Sequence, residues 1–120
     1  MADVNEITKA IGAHGRWKER LREAIDNGHS EFTVEDLRSD HRCDFGKWLY
    51  SLSPVEQQSS HWQTVKDLHI TFHREAAHVL DLALKGEKQK AENAFQLGSD
   101  FLNASASLTR AMMKWKGELS

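Results

Sequence analysis

Two histidines, His69 and His73, stand four residues apart, so on a helix they share a face one turn apart and can aim two imidazoles at one ion. A third histidine, His14, and the single cysteine, Cys43, extend the set of nitrogen and sulfur donors. The pattern lacks the glutamate of a zinc-protease helix, because Ile70 follows His69. Taken singly, each histidine reads equally well as a core imidazole bonded to a backbone carbonyl or a carboxylate. Taken together with Cys43, three imidazoles and a thiolate make a closed tetrahedral donor set. That donor chemistry suits zinc better than iron or magnesium. Four protein donors also leave no position for a reactive water, which disfavours metal-hydroxide hydrolysis.

The elements that must bring these donors together are helical. From Asp3 to about Asp26, Ile7, Ala10, His14, Trp17, Leu21 and Ala24 recur in steps of three and four and end near Asn27-Gly28. This predicts a first amphipathic helix with His14 on its inner stripe, where an unpaired imidazole costs free energy. His29 to His41 is polar and mixed, a connection with a short helix after Thr33 and with Asp40 as a cap for the next turn; Asp40 and Asp44, near the cysteine, are also candidates to support the site by orienting an imidazole. Phe45, Trp48 and Leu49 are helically spaced, which puts Cys43 in the first turn of a short helix, where the dipole and free N–H groups favour a thiolate. Ser53-Pro54-Val55-Glu56 is a helix start, from which the helix either runs on or pauses once and restarts near Ser60. Trp62, Val65, His69, Phe72, Ala76, Val79 and Ala83 keep a heptad rhythm up to Gly86. Ala91, Ala94, Gly98, Phe101, Ser105, Leu108, Met112 and Trp115 continue it as a last long helix, with small residues for close approach. The expected fold is all-α, an antiparallel four-helix-type bundle with a short Cys-bearing helix, stapled by zinc.

The bulk properties agree with a single domain over residues 1–120. Proline occurs once, at Pro54, as a helical chain requires. A net charge of −2 with scattered cations excludes a nucleic-acid stripe. No apolar run approaches a membrane span, and the start Met1-Ala2-Asp3-Val4-Asn5-Glu6 is acidic where a signal peptide is basic, so a cytoplasmic location is expected. A lone cysteine forms no internal disulfide. Glu19, Glu23, Asp67 and Glu75 fall off the stripes, which disfavours a di-iron bundle. His29, His41, His61 and His78 read as solvated. All four tryptophans read as packing, with Trp17 and Trp48 expected as walls of the metal site.

Three segments carry a resemblance. His14-Gly15-Arg16-Trp17, the box Cys43-Asp44-Phe45-Gly46-Lys47-Trp48 and His69-Ile70-Thr71-Phe72-His73 are similar, in order and type, to the chemoreceptor zinc-binding (CZB) domain. The resemblance covers most of the chain and implies the same four zinc ligands, His14, Cys43, His69 and His73. It also implies a homodimeric helical bundle that reports zinc or oxidants such as hypochlorous acid to a chemoreceptor or diguanylate cyclase, in cis or in trans. No cyclase domain or signalling hairpin is recognisable within the 120 residues. The reading is thus a non-enzymatic sensor whose zinc-bound Cys43 responds to oxidant. Its alternatives are a purely structural, zinc-stapled interaction module and, further off, a zinc or thiol enzyme.

Overall fold

The computed structural model describes residues 3–119. Met1 and Ala2, part of the segment read as too acidic for a signal peptide, lie outside them, as does Ser120. The described residues form seven helices and no strand: α1 (Val4–Asn27), α2 (Val34–Arg38), α3 (Asp44–Ser51), α4 (Pro54–Gln57), α5 (Ser60–Leu84), α6 (Lys88–Phe95) and α7 (Asp100–Leu119). The chain folds as an all-α bundle, as expected. No described helix is long and apolar enough to cross a membrane.

The long helices start and stop where their end residues dictate. Asp3 caps α1 by accepting from the Asn5 N–H at 2.8 Å, and Gly28 closes it in the left-handed region, φ 76°. Between these ends the buried stripe is Ile7, Ala10, His14, Leu21, Ala24 and Ile25. Ser53 and Glu56 form a reciprocal capping box with Pro54 in the first turn of α4. Ser59 then restarts the helix, accepting from the Trp62 N–H at 3.0 Å. The buried face of α5 holds every position of the expected rhythm and adds His73, Ala77 and Leu80.

The central helix is α5, which packs on α1, α2, α6 and α7. Its first half and the middle of α7 line one groove, with Thr64 and Leu68 on one side and Ser107 and Ala111 on the other. Further along, Phe72 meets Phe101 with ring centroids 5.7 Å apart, so α7 runs antiparallel to α5. Phe72, Phe101, Leu80, Leu108 and Met112 are fully buried between them. Each such side chain contributes about 1.5–3 kcal/mol by leaving water. The short helix α3 is tied to this core by Leu49, which is fully buried, and by the Trp62 Nε1–H, which donates to the Leu49 carbonyl at 2.9 Å.

Three local expectations are corrected. The last rhythm is two helices, because Gly98 takes φ 86° and Ser99 begins a new helix by accepting from the Leu102 N–H at 3.2 Å. Leu97, at the break, is 91% exposed. Cys43 is the N-cap of α3 and lies just before its first turn. Asp40 caps nothing; it is 8% exposed and accepts from the Tyr50 hydroxyl at 2.7 Å.

Candidate metal centre

Four side chains from three helices converge. His14 comes from the stripe of α1, His69 and His73 from successive turns of α5, and Cys43 from the head of α3. One donor atom from each lies within 4.8 Å of all the others. His69 Nε2 is central, 3.1 Å from His14 Nε2, 3.0 Å from His73 Nε2 and 3.2 Å from Cys43 Sγ. The edge of a tetrahedron around an ion with nitrogen ligands at roughly 2.0–2.1 Å is about 3.3 Å, so these separations are close to those of a coordinated set.

The far side of each ring supports this reading. His14 Nδ1–H donates to the Ala10 carbonyl at 2.7 Å, and His73 Nδ1–H donates to the Leu37 carbonyl at 2.8 Å. A neutral imidazole carries one proton, so both residues turn a bare Nε2 lone pair toward His69. A single proton on His69 Nε2 can serve only one of them. Lone pairs facing one another in a dry cluster call for a cation, and nitrogen and thiolate donors fit zinc. In His14 and His73 a carbonyl thus satisfies Nδ1 while Nε2 faces the cluster.

The surroundings are apolar. Phe72 stands edge-on to His14 at 4.9 Å, and Phe45 edge-on to His69 at 5.2 Å. These two rings are the walls expected of Trp17 and Trp48. Trp48 instead backs Phe45 at 5.6 Å, and Trp17 pairs with Phe32 at 4.8 Å on the rim of an outer cleft. Trp62 and Trp115 are core, as read. His29 and His78 are exposed, His61 is half-buried, and His41 stacks on Tyr50 at 4.4 Å; none joins the cluster. Asp44, considered as a support for the site, is exposed.

Burial sets the electrostatics. It lowers the His14 pKa to about 4, opposed by the Ala10 carbonyl, and the His69 pKa to about 2, aided by the charges that His73 and His14 would carry. It also lowers that of His73, against the Leu37 carbonyl and Asp40. For Cys43 burial pushes the thiol up, outweighing the Gly46 and Phe45 N–H groups, while Asp40 and Asp44 add to the rise. The helix N-terminus by itself thus does not make the expected thiolate; a cation would have to.

Unfolded imidazoles take up protons as the pH falls through 6.5, whereas the buried ones resist to much lower pH, so acid favours unfolding. Metal-free protein is expected to hold its full stability above about pH 6.5. By about pH 5 it should lose on the order of 2 kcal/mol for each of His14 and His69, read as a lower urea midpoint in chelator. Equal midpoints at about pH 7.5 and 5 would show that these rings protonate without cost to the fold.

Cys43 is placed by a close backbone approach. Its Sγ accepts from the Gly46 N–H at 3.3 Å, and a Cβ on Gly46 would stand 1.8 Å from the Asp40 carbonyl oxygen. No flexible side chain is there to give way. Gly46→Ala is expected to cost about 3 kcal/mol, the upper end of ordinary overpacking, and to move Cys43 from the imidazoles. Urea denaturation with zinc stoichiometry on the same samples checks both effects, and wild-type values for both would refute the packing argument.

A family model described as the chemoreceptor zinc-binding domain matches residues 14–80, a span that holds all four clustered residues. The chain belongs to this family. No curated protein and no solved structure matches it. The matched span runs from His14 through most of α5, so the part of the fold that carries the site is the part the CZB family describes, while α6 and α7 lie outside it.

Proposed function

We propose that this CZB chain is a zinc-binding sensory module, one domain over residues 1–120, with His14, Cys43, His69 and His73 as the ligands. The observation that carries the reading is the convergence of three Nε2 atoms and one Sγ within 4.8 Å, with two of the imidazoles locked by carbonyls so that their lone pairs face inward. Zinc bound there would hold Cys43 as thiolate and clamp α1, α3 and α5 together. Four protein donors leave no open position, which supports a regulatory role over a catalytic one.

Cys43 is the responsive ligand in this reading because it is only half-buried, whereas the three histidines are buried. It lies at a cleft of about 870 Å³ rimmed by Arg16, Trp17, Arg20, Phe32 and Arg42. Hypochlorous acid arriving by that cleft would convert the thiolate to sulfenic acid with release of chloride, weakening the sulfur as a ligand. The three buried imidazoles remain, while α3 loses its hold on the cluster. Movement of α3 is the local change a partner would read. The output assigned to it is a bacterial chemoreceptor or diguanylate cyclase, in cis or in trans, in the cytoplasm and as a homodimer; the family membership supports this.

Elemental mass spectrometry on protein purified without chelator tests the proposal, with Cys43→Ser and His14→Ala alongside. About one zinc per chain is expected, reduced in both variants, with hypochlorous acid loosening zinc from wild type. Zinc that binds but ignores oxidant would make the module a structural staple, and absence of metal would sink the ligand assignment.

A further inference from the structure

His69 Nδ1 is the one buried side-chain nitrogen or oxygen with no hydrogen-bond partner among the described residues. For Nε2 of His69 to offer a lone pair to the cluster, the ring proton must sit on Nδ1, and a buried N–H needs an acceptor. The other two histidines meet this need with the Ala10 and Leu37 carbonyls. Beside His69 Nδ1 stands a carboxylate, Asp40 Oδ2, at 3.9 Å, just beyond hydrogen-bond range. Asp40 is buried and already held, because the Tyr50 hydroxyl donates to the same Oδ2 at 2.7 Å. Its backbone is held too, since its carbonyl lies 3.6 Å from Cys43 Sγ and against the Cα face of Gly46.

We propose that Asp40 is the positioning residue for His69. With a cation in the cluster, Asp40 Oδ2 accepts the Nδ1–H of His69 while Tyr50 steadies the carboxylate, fixing the ring's tautomer and its aim. This rests on the reading of the four residues as a metal site. A carboxylate behind a ligating imidazole makes the ring a better donor, and losing such a partner typically costs about 10–100-fold in metal affinity. Because Asp40, Cys43 and Tyr50 belong to the segment around α3, the pair also joins the cysteine's anchor to the central imidazole.

The test compares wild type with Asp40→Ala, Asp40→Asn and Tyr50→Phe. Zinc affinity is read by competition with a chelating dye, and long-range proton–nitrogen NMR is recorded on zinc-loaded protein labelled at histidine. Asp40→Ala should bind zinc about 10–100-fold more weakly. Asp40→Asn, whose side-chain oxygen still accepts, should recover most of the loss, and Tyr50→Phe should show a smaller one. In wild type the His69 proton should appear on Nδ1, with a resonance that shifts in Asp40→Asn and Tyr50→Phe while those of His14 and His73 stay in place. Should Asp40→Ala fail to fold, the NMR comparison with the two milder variants decides. Equal affinity in Asp40→Ala, or a His69 resonance indifferent to Asp40→Asn, overturns the inference alone. Wild-type protein that binds no zinc overturns the metal-site reading and this inference with it.

Discussion

Stripping zinc from the loaded protein is expected to lower its melting temperature by roughly 15 °C. At free zinc about a thousandfold above Kd, binding to the folded state alone adds about 4 kcal/mol. A domain of this length shifts by roughly 4 °C per kcal/mol. The loss should be uneven along the chain. The core between α5 and α7 rests on Phe72, Phe101, Leu108 and Met112, which need no metal. By contrast α2 and α3 each add little to the core: α2 buries only Leu37, and α3 buries Phe45, Gly46 and Leu49. Chelation should therefore raise amide exchange first from Val34 to Ser51 and leave α5 and α7 protected. Equal melting curves with and without chelator would break the coupling between metal and fold.

Much of the molecule was legible because its signals are local. Asp3, Thr33, Ser53 and Ser59 each accept from an N–H two or three residues ahead, so the starts of α1, α2, α4 and α5 are written in single side chains. Two stripe positions filled by imidazole, on α1 and α5, already marked where a cluster had to form. The break after α6 was hidden because Gly98 falls on the apolar rhythm, where a small residue also serves close packing; its positive φ is the alternative use of glycine. The supports of the site were hidden for another reason. The acceptor of His73 Nδ1 is a backbone carbonyl 36 positions away, and a carbonyl leaves no trace in residue type. Asp40 reads from sequence both as a cap and, with Asp44, as a support near the cysteine, and only the fold separates the two by burying Asp40 against Tyr50 and leaving Asp44 exposed. The thiol of Cys43 shows the same limit, since a helix N-terminus is visible in sequence and the burial that overrides it is not.

His69→Leu is expected to abolish stoichiometric zinc binding and, at the same time, to make the metal-free protein more stable by about 1–3 kcal/mol. The two effects have one cause. Without a cation, His69 Nδ1 has no partner, and the His14 and His73 lone pairs compete for one proton on Nε2. A buried polar group left unmatched costs that amount, and leucine is near enough in volume to fill the place without a cavity. The variant also takes away the one proton that His14 and His73 share, but that proton served only one of them, so the relief of the unpartnered ring and the burial of an apolar side chain in its place are the larger effects. Urea denaturation of both proteins in chelator near neutral pH gives the sign directly. A less stable variant would mean that the imidazoles satisfy one another in the metal-free fold, and the case for a cation drawn from their facing lone pairs would fail. A more stable one would mean that the fold tolerates His69 at a cost, which only binding at Nε2 accounts for.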